Sequence, residues 1–218
     1  MKRLLILSVV FVIVGNVSSG YAQENKRAIK KIYAIVGSEL GIRVAFKNDW
    51  TVTLSTNNKS TKPKNLPDDY DPGYTFWLGI QFPYGKPIAK MNLLNLTAGK
   101  LLPAGNKTWF TVETGISLIK GDKFQFTKTT TSQYEEANAI TSLFGIGESK
   151  SANYQFSKEK KTVIGGMLKT DFNWAFSSVA GIGAGIFLNF NSIQSPIGGF
   201  QVKLIIGWMN NSKNKGTN

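Results

Sequence analysis

Six charged residues recur where a two-residue period sets them on the small, polar face of successive strands: Glu39, Arg43, Glu113, Lys169, Asp171 and Lys203. Both signs are present. A charge facing a confined interior is costly unless it is partnered. The pattern therefore predicts an internal ion network, with Glu113 and Asp171 facing Arg43, Lys169 or Lys203. The chemistry on offer beyond ion pairing is narrow. The chain has no histidine and no cysteine. That removes imidazole acid–base catalysis, Ser-His-Asp triads, nucleophilic thiols, disulfides and nitrogen or sulfur metal sites.

Carboxylates alone remain. Asp68, Asp69 and Asp71 cluster in "PDDYDPG", and Glu135 adjoins Glu136. The first group has the oxygen chemistry of a calcium ligand set. It lacks the spacing of a calcium loop, and Pro-Asp-Asp is ordinary turn chemistry. "GIGAG" (181–185) and "FGIGES" (144–149) are glycine-rich. A dinucleotide loop needs a strand before it and a helix after it. The first instead repeats glycine every second residue within a strand, which keeps one face small enough for a bulky neighbour. No catalytic residue, cofactor or metal is expected, and no enzyme activity. A carboxylate-only enzyme is the weakest of the readings.

The elements that must position the charges are strands. The first residues read as an export signal: Lys2 and Arg3, an apolar run over 4–14, and small residues Gly20 and Ala22 before a cut after Ala22. Residues 1–22 are expected to be a cleaved signal peptide, 23–30 a polar lead-in, 31–209 one β-barrel domain and 210–218 a polar tail. Without the signal, 24 Lys and Arg face 13 Asp and Glu. Nucleic acid fits poorly with export. Outer-membrane lipid, including the phosphates of glycolipids, is the expected partner for such a surplus. The lysines in question are Lys59, Lys62 and Lys64, with Lys150, Lys158, Lys160 and Lys161. No protein partner can be named.

Alternation places strands within 31–46, at 50–55, 74–82, 88–102, 108–118 with a continuation past Gly121 to Phe126, 160–176, 180–190 and 198–208, with a bulge or break in 88–102 and a short helix in 134–144. This count sends the long loops 57–73 and 127–155 to opposite ends, although long loops share one end in such proteins. A miscount within 31–46 or 88–102 is implied. Ile164, Leu168, Phe172, Ile182, Ile186, Leu188, Val202, Leu204 and Ile206 form an uncharged face long enough to cross a bilayer, which takes roughly nine to eleven tilted residues. They are expected to face lipid. Trp50, Tyr74, Trp109, Trp174 and Trp208 are expected at the two membrane interfaces.

An export signal, amphipathic strands, the run "GIGAGIFLNF" and the closing "GGFQVKLIIGW" resemble a small outer-membrane β-barrel of the eight-stranded, PorT-like kind, over roughly residues 30–209. The expected fold is all-β: a closed, antiparallel, up-and-down transmembrane barrel of about eight strands. The expected role is non-enzymatic, in the outer membrane: structural, adhesive or accessory to transport or secretion. The alternative is a soluble periplasmic barrel or sandwich that binds an apolar ligand.

Overall fold

A computed structural model describes residues 29–77, 80–129, 134–135, 146–194 and 196–209. The expected signal peptide, most of the lead-in, the tail and Glu136 lie outside the described residues. So does the helix expected over 134–144, apart from Tyr134 and Glu135, which are strand.

Among the described residues the strands are β1 (Ile29–Gly37), β2 (Leu40–Phe46), β3 (Trp50–Thr61), β4 (Tyr74–Trp77), β5 (Ile80–Pro83), β6 (Ala89–Pro103), β7 (Thr108–Lys128), β8 (Tyr134–Glu135), β9 (Ile146–Lys150), β10 (Tyr154–Ala175), β11 (Ala180–Phe190) and β12 (Ile197–Met209). Eight of them close a ring in the order β1-β12-β11-β10-β7-β6-β3-β2, and the other four form a sheet in the order β5-β4-β9-β8. The chain divides into two compact units, residues 1–58, 92–119 and 163–218, and residues 59–91 and 120–162.

In the first unit the ring is antiparallel between sequence neighbours and closed by β1 on β12. There Ile35 lies opposite Ile205 and Gly37 opposite Lys203. A closed sheet has no free edge, so its outer and inner faces are set by residue parity alone. Outward residues alternate with inward ones along all of β12. Val202, Leu204 and Ile206 are exposed, whereas Gln201, Lys203 and Ile205 are buried. The apolar face points out and the polar face points in, the reverse of a water-soluble barrel. Three tight turns (47–49, 104–107 and 176–179) share one end with Ile29 and Met209. Adjacent turns are laced there by backbone bonds, Leu101 N to Asp49 O (2.7 Å) and Ala175 N to Lys107 O (2.8 Å). Asp49 takes a left-handed conformation (φ 63°), which a short polar side chain tolerates best, and accepts a bond from Lys30 Nζ at 2.7 Å.

Three strand readings need correction. The run 31–46 is two strands, β1 and β2, folded about Ser38. Ile35 pairs with Gly41, so inward residues are odd-numbered on both sides of the turn. The alternation therefore runs through the turn without a phase change and conceals it. The run 88–102 is one unbroken strand, β6, with Met91, Leu93, Asn95 and Thr97 inward and Leu94 and Leu96 outward. Apolar residues on both faces blurred its period. The run 74–82 is a hairpin, β4 on β5, with Thr75 opposite Phe82. It belongs to the four-stranded sheet, not the ring. With one strand added and one removed, the connections after β3 and β7 leave the ring at the same end.

The second unit holds that sheet and the far ends of β3, β7 and β10. An aromatic cluster joins Phe124, Phe126, Phe156, Tyr70 and Tyr154, with ring centroids 5.5–6.3 Å apart.

Candidate functional site: the charged barrel interior

Along β7 the inward side chains are Trp109, Thr111, Glu113, Ser117 and Ile119, all buried. They pass in turn through three zones of the barrel interior. At the short-turn end an apolar floor is built from Tyr33, Ile35, Ala45, Leu101, Trp109, Ala175, Ile205 and Met209. Tyr33 meets Trp109 edge-on at 6.1 Å, and Lys31 Nζ lies 3.8 Å over the Trp109 ring. Further along sits a neutral polar group in which Ser117 donates to Asn95 Oδ1 (2.6 Å) and Asn189 donates to Ser117 (2.9 Å).

Between them lie all six charges. Arg43, on β2, is wholly buried. Its Nη2 lies 2.6 Å from Asp171 Oδ2 and its Nε 2.9 Å from Glu113 Oε1. Lys203 Nζ is 2.6 Å from Asp171 Oδ1. Lys169 Nζ is 2.6 Å from both oxygens of Glu39, which hangs from the β1–β2 turn. Longer contacts, Lys203 to Glu39 (3.7 Å) and Lys169 to Asp171 (3.9 Å), join the two halves. Three cations meet three carboxylates, and the set is neutral. Burial of these ions is tolerable because each has an opposite charge close by, and Arg43, Glu113 and Asp171 also bond to threonine hydroxyls.

Sequence reasoning missed the hydroxyls that complete the set. Thr53 and Thr97 donate to the two oxygens of Glu113 at 2.8 and 2.9 Å. Arg43 donates to Thr53 Oγ1 (2.7 Å) and Thr111 Oγ1 (3.1 Å). Their signal was parity: Thr53 and Thr111 share the alternation of Arg43 and Glu113. Nothing but position distinguishes them from any strand threonine.

Glycines supply the space. Gly183 lies opposite Lys203 on one side and Asn173 on the other, and Gly185 lies opposite Asp171. A Cβ at 183 would come within 3.1 Å of Lys203 Cε and 2.7 Å of Asn173 Oδ1, and one at 185 would collide with Asp171 Oδ1. The glycine repeat is thus the floor over which Lys203 reaches Asp171.

Outside the barrel wall, Ile164, Leu168, Phe172, Ile182, Ile186, Leu188, Val202, Leu204 and Ile206 are all exposed, from 40% at Leu204 to 73% at Ile164. Soluble monomers rarely leave so continuous an apolar surface uncovered. Trp50 and Trp174 are exposed, and Trp208 is half-buried with outward parity. Two aromatic assignments are corrected. Trp109 is 2% exposed and belongs to the apolar floor, because it shares parity with Thr111 and Glu113. Tyr74 lies on β4, a strand of the four-stranded sheet and not of the ring.

The acidic loop is held by lysines. Asp69 takes Lys128 (2.9 Å) and the Tyr154 hydroxyl (2.7 Å); Asp71 takes Lys150 (2.7 Å) and the Gly73 amide (2.9 Å). Their oxygens are committed to these partners, which is turn chemistry and not a calcium cage. The hydrogen bond from Lys128, helped by Tyr154, holds the Asp69 carboxyl below the usual carboxylate range, and Lys150 does the same for Asp71. Among the described residues no group of three or more acidic side chains is placed to hold a metal. Lys158 pairs with Asp122 at 3.0 Å and Lys161 with Glu159 at 3.4 Å. Lys62, Lys64 and Lys160 are exposed.

No protein-family model matches the chain, and no curated protein does. Among solved structures, Ail, the attachment invasion locus protein of Yersinia pestis, aligns at 10% identity and a TM-score of 0.40, over 81% of this chain and 91% of its own. The outer membrane protein Ail in a phospholipid bilayer nanodisc gives 12% and 0.39, over 81% and 95%. CarO of Acinetobacter baumannii gives 11% and 0.43, over 85% of this chain and 100% of its own. The likeness is too slight to carry an argument, and the barrel rests on the strand register of this chain.

Proposed function

We propose that the ring is a transmembrane barrel of the outer membrane and that its role is structural or adhesive. The ring anchors the chain in lipid. The observation that carries this reading is the polarity of the wall. Apolar side chains cover the middle of the outside, and three cations paired with three carboxylates lie inside. A soluble barrel with an apolar ligand needs the opposite arrangement. The interior supports neither catalysis nor conduction: its carboxylates are neutralised, and eight strands leave only enough room for the side chains that fill it. The test is reconstitution. The chain folded in detergent should enter phosphatidylcholine bilayers, become protease-resistant over the ring strands, and pass no steady ionic current. Recovery as a water-soluble monomer without detergent overturns the reading, and a stable open-channel conductance overturns its closed interior.

A further inference from the structure

Asp122 is a nearly buried carboxylate on β7, in the second unit. Its Oδ2 accepts from the Lys90 backbone amide of β6 (3.1 Å) and lies 3.0 Å from Lys158 Nζ of β10. Burial works against its charge, yet Lys158, the Lys90 amide and the nearby charge of Lys160 hold its carboxyl below the usual range. One acid thus meets two neighbouring strands, β10 through the Lys158 side chain and β6 through the Lys90 backbone amide. Lys90, Lys120 and Lys160 are exposed, and none of the three is in an ion pair. The other acids of this unit in contact with lysine, Asp69, Asp71 and Glu159, are taken by Lys128, Lys150 and Lys161. Lys90, Lys120 and Lys160 thus present their charge to solvent with no ion-pair partner among the described residues.

The outward residues of the same strands say what that charge meets. On β7 the outward series runs Ile116, Leu118, Lys120; on β6 it runs Leu96, Leu94, Asn92, Lys90; on β10 it runs Leu168, Gly166, Ile164, Thr162, Lys160. On all three, apolar side chains give way to lysine within four residues. A strand that leaves hydrocarbon enters the head-group layer at that point, and a lysine there meets phosphate.

We propose that Lys90, Lys120, Lys158 and Lys160, which follow the apolar outward residues on β6, β7 and β10, bind the phosphate groups of a glycolipid in the surrounding leaflet. The inference rests on the transmembrane reading of the ring. It assigns the lipid to strands β6, β7 and β10. It also separates these lysines from Lys62 and Lys64, which lie beyond the end of β3.

The test uses the full chain folded in detergent and transferred to phosphatidylcholine bilayers, with a bis-phosphorylated glucosamine lipid or its dephosphorylated counterpart as probe. The phosphorylated probe should be retained at least tenfold better than the dephosphorylated one. Retention should fall with salt, and should drop at least fivefold in the variant K90Q/K120Q/K160Q. K62Q/K64Q should retain the probe like the parent. Should the triple variant fold poorly, K120Q alone, at an exposed position, serves with an expected loss of two- to threefold. Equal retention of both lipids, or no loss in the lysine variants that fold, overturns the proposal. Competition by inorganic phosphate at low millimolar concentration also overturns it, since the site would then read a free anion and not a lipid. Failure of the parent to enter neutral bilayers overturns the transmembrane reading instead, so the two failures are distinct.

Discussion

Lys203 Nζ lies 2.6 Å from Asp171 Oδ1, although their strands do not touch: β11 runs between them, and its glycines at 183 and 185 leave the path open. The ion pair and the glycine repeat are one device. Neither works alone, since a Cβ at 183 or 185 would occupy the path the pair needs.

Removing the cation from this pair leaves Asp171 with more negative charge than its surroundings compensate. Lys203→Met is expected to destabilise the barrel by about 3–5 kcal/mol, the usual result of breaking a buried pair from one side. Urea unfolding in detergent micelles, followed by the gel-mobility change on boiling, measures it. A loss below about 1 kcal/mol, the range of an exposed pair, would show that the pair is solvated.

Gly183→Val should act through Lys203 without touching a charge. Overpacking of this kind costs typically about 1–3 kcal/mol. Gly183→Val in a Lys203→Ala background should cost clearly less than in the parent, because the displaced side chain is gone. Additive costs in that double variant would refute the shared path.

Leu204→Arg puts a cation on the outer wall near its middle, and the expected penalty is roughly 2–4 kcal/mol against insertion. The readout is the fraction folded into bilayers of fixed thickness. Gln201→Leu, on the inner face, should leave that fraction within twofold of the parent.

The loop around Tyr70 should loosen in acid before the ring does. Asp69 and Asp71 have depressed carboxyl pKa values, so their contribution is present above the unfolded carboxylate range. It is lost as pH falls below that range towards the folded values. Hydrogen exchange at residues 66–73 should rise between pH 5 and pH 3 and change little between pH 6 and pH 8. Asp69→Asn should raise exchange there at neutral pH.

Much of this was legible in residue alternation. The inward placement of Glu39, Arg43, Glu113, Lys169, Asp171 and Lys203 followed from parity within each strand, which needs no knowledge of neighbours. Turns were harder. The β1–β2 turn preserves parity, so nothing in the period marks it; only the Gly37-Ser38 step does. In β6 the inward Met91 and Leu93 are as apolar as the outward Leu94 and Leu96. Trp109 shows the limit of reasoning by residue type. Tryptophan suits an interface, but its odd number on β7 sends it inside, and parity outranks preference. The common outward face of Lys90, Lys120 and Lys160 depends on which strands are adjacent, and their spacing along the chain gives no hint of it.

The charge balance of the interior also bears on assembly. Glu39 and Arg43 arrive with the first hairpin, Glu113 with β7, Lys169 and Asp171 with β10, and Lys203 with β12, the strand that must find β1. Without the final strand the central network holds two cations against three carboxylates. The closing step is therefore also the step that brings this network to zero charge. A misregistered β12 that delivered Gln201 or Ile205 in place of Lys203 would leave a buried anion without its cation. The last cation acts as a checksum on closure, read out in desolvation energy before the seam between β12 and β1 is sealed.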